Sequence, residues 1–215
     1  MTREQRAERL MHRIESFSDL VIGFSLALLA LTLSIPPHIV ELATNPWWLI
    51  AYFWTFAVIA GIWYNHQRLF THFFWPEMLT VVLNFALLAM VGLLVFFVQV
   101  FVHYHDRFER VWAFLAYFTV FAIGFIIMGT LYLHGTRRRW DTLSGEDRYT
   151  GLRQGARGII GGVFILLGVV LSALHPAKSM DDLLPLVFCV LVSLIGVRFL
   201  LVALKPRIVG SARVD

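Results

Sequence analysis

The chain has 215 residues, 59% hydrophobic and 15% charged, where soluble domains average roughly 45–50% apolar and about 25% charged. That balance excludes a soluble globular domain and describes an integral membrane protein. The net charge of +4 comes from Arg and Lys gathered near the ends of apolar runs, so it reports topology rather than a nucleic-acid partner. One cysteine, Cys189, lies inside an apolar run and leaves no disulfide framework.

A hydrocarbon core of about 30 Å takes roughly 20 apolar residues per helix. Six segments reach that length: 14–35, 47–72, 77–104, 109–133, 153–174 and 183–204. The first begins at Arg13-Ile-Glu-Ser-Phe17-Ser18-Asp19, lacks a small-residue cleavage pattern and ends in Pro36-Pro37, so it reads as a retained helix. Pro76 separates the second from the third, Gly135 is expected to end the fourth, and His175-Pro176 the fifth. The longest connection, 135–152, reads as a short basic loop. Basic residues favour one side: Arg3 to Arg13, Arg68, Arg137 to Arg153, and Lys205 to Arg213. Both termini are therefore expected in the cytoplasm. The fold expected is an all-α integral membrane protein, with residues 1–215 as one six-helix transmembrane domain. No internal repeat is visible, and Phe-Ser-Asp occurs once, which argues against an inverted-repeat transporter. So small a conducting protein would build its pathway by oligomerising.

Ionisable groups at a helix mouth are costly in lipid and are functional candidates. Asp19, His66, Arg68, Asn84 and Arg198 fall in one layer near the cytoplasmic ends of four helices. Asp–Arg, Asp–His and Asn pairings would satisfy that layer, which reads as a structural clamp on the first helix rather than a catalytic site. At about 100° per residue, Phe24, Leu28, Leu31 and Ile35 share a stripe about 60° wide. Asp19 points about 140° away from Phe24 on the same geometry. Gly23, Ala27, Ala30 and Ser34 form an adjoining stripe of small residues suited to close helix contact.

The histidines offer no metal set. His103 and His105 are two residues apart, which sets their rings about 200° apart on a helix. No Cys-His group, His-Glu-x-x-His motif or nucleophile–base constellation occurs. A haem held by His66 has no ligand spacing to support it. No enzyme is expected, and no cofactor or metal. Gly158-x-x-x-Gly162 reads as a close-packing face.

Arg13-x-x-x-Phe17-Ser18-Asp19 at the first helix mouth, Trp63-Tyr64-Asn65-His66-Gln67-Arg68-Leu69-Phe70 closing the second and Leu83-Asn84 in the third carry a resemblance. The chain resembles prokaryotic members of the transmembrane protein 175 family of cation channels over essentially its whole length. The resemblance implies a potassium-permeable leak channel in a prokaryotic plasma membrane, assembled as a homotetramer. Four first helices would line the pore, narrowed by Phe24, Leu28, Leu31 and Ile35, with Gly23 and Ala27 beside it. The permeant ion would be a monovalent cation, K⁺. Arg13, Phe17, Ser18, Asp19, His66, Asn84 and Arg198 would form the clamp. Two departures stand out. Gly23, Phe24 and Ala27 replace a small Ala or Ser, an Ile or Leu, and a Thr, and Phe96-Phe97-Val98-Gln99 lacks a proline. The loss of the threonine hydroxyl bears on potassium selectivity. The alternative is a proton-coupled secondary transporter relaying through Asp19 and His66.

Overall fold

The computed structural model describes residues 3–33, 47–104 and 107–174. Over these it is helical: α1 Arg3–Ala30, α2 Trp47–His72, α3 Met78–His103, α4 Arg107–Arg138, a 3₁₀ turn Trp140–Thr142, and α5 Gly145–Leu174. The expected sixth helix, 183–204, and the breaks at Pro36-Pro37 and His175-Pro176 lie outside the described residues.

The helices form because their apolar positions recur at three- and four-residue steps, which places them on one face. In α2 that face is Thr55, Ile59, Ile62, His66 and Leu69; in α3 it is Thr80, Asn84, Leu87, Val91, Leu94 and Val98, all buried. Ile14, Ile22 and Leu29 bring α1 into the same core. Four helices, α2 to α5, are long and apolar enough to cross a membrane, and the chain is a multi-pass membrane protein. α1 is not among those four. Every 18-residue window within it takes in at least three charged residues, and the last window, 13–30, still holds Arg13, Glu15 and Asp19.

Four boundaries differ from expectation. α1 ends at Ala30 rather than 35, where Leu31, Thr32 and Leu33 donate back to Leu28, Leu29 and Ala30 in a tighter turn. α1 starts at Arg3, well before residue 14, because Arg3 to Arg13 mixes good helix formers with charges that suit a solvated turn. α4 runs through Gly135 to Arg138, so that glycine does not end it. A Cβ at Gly135 would lie 2.0 Å from the Phe73 carbonyl oxygen, so the missing side chain permits a close crossing instead. α5 begins at Gly145, so the supposed loop 135–152 shrinks to 139–144 with a 3₁₀ turn inside it. The Ser144 hydroxyl accepts the Asp147 N–H at 3.1 Å and donates to the Asp147 carboxylate at 2.6 Å, a cap that starts the helix.

Packing is closest between α4 and α5, and α3 lies along α4. α1 contacts α2 and α3, while α2 touches α4 only lightly. The turn between α2 and α3 is tied to the end of α4. Glu77, the N-cap of α3, pairs with His134 and, at 3.0 Å, with Arg138. Arg139 donates to the His72 carbonyl at 2.8 Å and so satisfies the C-terminal end of α2.

Candidate functional site

Three fully buried polar side chains, Ser18 on α1, His66 on α2 and Asn84 on α3, find one another. The Ser18 hydroxyl donates to the Ile14 carbonyl at 2.8 Å, so its oxygen is left to accept from the Asn84 amide nitrogen at 2.9 Å. That fixes the amide: the Asn84 oxygen faces His66 Nε2 at 2.8 Å, and His66 donates. Ser18, His66 and Asn84 are all fully buried. The His66 ring also stacks on Phe70, with centroids 4.6 Å apart, and Phe70 on Phe74 at 4.0 Å. His66 Nδ1 has no hydrogen-bond partner. Phe17 seals the layer from α1 by an edge contact to Phe85 on α3, centroids 5.7 Å apart. Three helices are thus joined by one chain of hydrogen bonds whose members are all closed off from solvent.

Asp19 does not join that chain. Its Oδ1 accepts from Trp63 Nε1 at 3.1 Å and Gln67 Nε2 at 2.5 Å, both on α2. His66, one expected partner, is bonded to Asn84 instead, and Arg198, the other, lies outside the described residues. The reason is angular. Asp19 is one residue past Ser18 and so turns about 100° around the helix, from the α3 side to the exposed edge of α2. Arg13 is exposed and makes no ion pair among the described residues. Trp63 and Gln67 were present in the quoted motif of the second helix. Their positions, four residues apart on one helical face, were the available signal for a bidentate donor pair.

α1 presents two faces. Ile14, Ser18, Ile22, Ser25 and Leu29 are buried against α2 and α3. On the other side Phe24 is 62% exposed, Leu28 52% and Leu31 79%. Gly23, Ala27 and Ala30 beside them are exposed as well, and a Cβ at Gly23 would meet nothing within 4 Å. Ile35 lies outside the described residues. The bulky stripe and the small stripe therefore form one continuous apolar surface that no other described residue covers.

Among the described residues no group of three or more His, Cys, Asp or Glu side chains could hold a metal ion. His66 has its Nε2 committed to Asn84, and no hydrogen bond or ion pair links it to Asp19.

Residues 13–95 match the family model described as endosomal/lysosomal potassium channel TMEM175. The fold is similar to that of a variant of the potassium channel MtTMEM175, seen in a crystal structure with a nanobody–MBP fusion protein. The TM-score is 0.62, the identity 16%, and the match covers 91% of this chain and 93% of that one. No curated protein matches the chain. The matched segment spans α1, the Trp63–Phe70 motif of α2 and the Asn84 region of α3. Over residues 13–95, less than half of its length, the chain is similar to the TMEM175 family.

Proposed function

We propose that the chain is one subunit of a potassium-permeable cation leak channel. Four copies surround a pore lined by α1, with Phe24, Leu28, Leu31 and Ile35 forming its apolar constriction. The observation that carries this reading is the uncovered stripe on α1. Bulky side chains on a membrane-embedded helix, next to a strip of Gly and Ala, suit helices meeting around an axis. The family match over the same helix supports it, as does the similarity in fold to a potassium channel. Gly23 and Ala27 flank the constriction, and Ala27 offers a methyl where a hydroxyl could replace water around an ion, so discrimination between K⁺ and Na⁺ is weak. Ser18, His66, Asn84 and Phe17 hold α1 on its own protomer, and Asp19 fixes its rotation through Trp63 and Gln67. The chain has no catalytic role in this reading, and it needs no cofactor beyond the permeant ion.

The proposed topology has six helices, the sixth at 183–204, with both termini in the cytoplasm of a prokaryotic cell. A thiol introduced by Ala43→Cys should react with an impermeant reagent from outside, and one introduced by Gly145→Cys should not. The reverse labelling would invert the bundle.

The function is tested in liposomes and by single-channel recording. Hydrophobic constrictions conduct poorly because they dewet. Phe24→Ala and Leu28→Ser should therefore raise cation flux and lower the preference for K⁺ over Na⁺, while Leu26→Ala, a core-packed position, should change stability alone. Flux that runs only in obligatory exchange with protons would replace the channel with the Asp19–His66 carrier. Unchanged conductance in both stripe variants would remove α1 from the pore.

A further inference from the structure

A crevice of about 310 Å³ separates α2 from α4 and α5, on the side of the bundle away from the Ser18–Asn84 chain. On its α2 wall it is opened by the small residues Ala57 and Gly61. A Cβ added at Gly61 would meet nothing within 4 Å. The long walls are apolar, from Trp54 and Phe121 at one end past Val58, Phe125 and Met128. The far end is polar, formed by Asn65, Tyr132, Gln154 and Arg157.

Length and charge identify an occupant. From Trp54 to Asn65 is 11 helical steps, about 16 Å, close to one leaflet's share of a hydrocarbon core about 30 Å thick. The polar end coincides with the change in α5 from the charged stretch Glu146–Arg157 to the apolar run that starts at Ile159. It therefore lies where acyl chains give way to headgroups. Within it the neutral groups satisfy one another: Tyr132 donates to the Asn65 carbonyl at 2.7 Å, and Gln154 donates to the Asn65 side-chain oxygen at 3.3 Å. Arg157 is exposed and makes no hydrogen bond or ion pair among the described residues. A guanidinium at the mouth of an apolar slot one leaflet deep lacks only a phosphate.

We infer that the crevice between α2, α4 and α5 binds one anionic glycerophospholipid, its acyl chain along Trp54–Phe125 and its phosphate on Arg157. The neighbouring lipid is as apolar as the crevice wall, so the headgroup sets the preference. This goes beyond the channel reading and does not depend on it.

The test uses the purified full chain in detergent, titrated with dioleoyl-phosphatidylglycerol or dioleoyl-phosphatidylcholine. Native mass spectrometry reads occupancy, and thermal unfolding reads stabilisation. The wild type should bind phosphatidylglycerol more tightly and be stabilised by it. Arg157→Gln should weaken phosphatidylglycerol about tenfold and weaken phosphatidylcholine, whose phosphate is already offset by its own choline, by less, so that the preference between the two shrinks. Gly61→Leu and Ala57→Leu fill the slot from two adjacent turns of α2 and should weaken both lipids. Circular dichroism and size-exclusion profiles identify whichever of the two stays folded as the readout. Inorganic phosphate at millimolar concentration should not displace the lipid. Wild-type preference in Arg157→Gln, undiminished binding in the folded slot-filling variant, or displacement by free phosphate would each overturn the proposal.

Discussion

Asn84 is the side chain on which α1 and α2 both depend, because its amide faces Ser18 with a donor and His66 with an acceptor. An apolar replacement strands the His66 N–H in a fully buried position. An unsatisfied buried polar group costs about 1–3 kcal/mol, whereas replacing both partners by apolar groups of similar shape is nearly neutral. Asn84→Leu should therefore lower stability by about 1–3 kcal/mol in detergent unfolding. The double variant His66→Phe with Asn84→Leu should recover most of that loss. Strict additivity of the two single effects would show that they are not one hydrogen-bonded unit. Asp19 has a different weight from the one its sequence position suggests. Its partners among the described residues are neutral donors, and Trp63 is 43% exposed, so Asp19→Ala strands no counter-charge among them. The loss should be about 1.5–3 kcal/mol at most, the range for hydrogen bonds to a charged group. Asp19→Asn, which keeps an oxygen in place, should retain most of the stability. A tetramer yield unaffected by Asp19→Ala would free that residue of any structural duty. The sequence made Ser18, His66 and Asn84 visible because polar residues stand out in apolar runs. It could not separate the Ser18 direction from the Asp19 direction until the rotation of α1 against α2 was known.

At the scale of the helices, α4 and α5 approach so closely because glycines remove the ridges between them. A Cβ at Gly129 would lie 2.7 Å from the Gly155 carbonyl oxygen, and one at Gly158 2.7 Å from the Gly129 Cα. Both obstacles are backbone, which cannot step aside without parting the helices. Gly129→Ala should therefore destabilise the fold despite alanine's better helix propensity, by about 1–3 kcal/mol as overpacking usually does. Gly92→Ala on α3, where a Cβ meets nothing within 4 Å, should be neutral or mildly stabilising. Equal unfolding midpoints for the two variants would contradict the close crossing. The glycine spacing Gly158-x-x-x-Gly162 was readable as a packing face, while its partner on α4 was not, because Gly129 sits alone in a run of large residues. Helix ends were the least legible feature. Counting apolar residues finds the part of a helix that lipid surrounds, and it misses the turns that continue into water, such as Arg3 to Arg13 and Gly145 to Leu152. For α5 a signal was present in Ser144-x-x-Asp147, a cap written in the sequence ahead of the apolar run.

At the scale of the molecule, the described residues leave the first helix half dressed. Its buried face has partners on α2 and α3, but Phe24, Leu28 and Leu31 with Gly23, Ala27 and Ala30 have none among the described residues. Two surroundings are compatible with such a face, lipid or other copies of the same helix, and they answer differently to added bulk. Lipid chains move aside for a new side chain, whereas helices meeting around an axis do not. Gly23 is the discriminating position, because a Cβ there meets nothing within 4 Å among the described residues of its own protomer. If four α1 helices converge, Gly23→Leu should leave the unfolding midpoint of the dissociated chain unchanged, yet weaken the tetramer or alter its conductance. Gly92→Leu, also without a neighbour within 4 Å but on α3, should leave tetramer and conductance alike intact. Size-exclusion light scattering and single-channel recordings on the two variants give the comparison. Were Gly23→Leu to assemble and conduct as the wild type does, the α1 face would be lipid-facing and the pore would have to be sought along another helix.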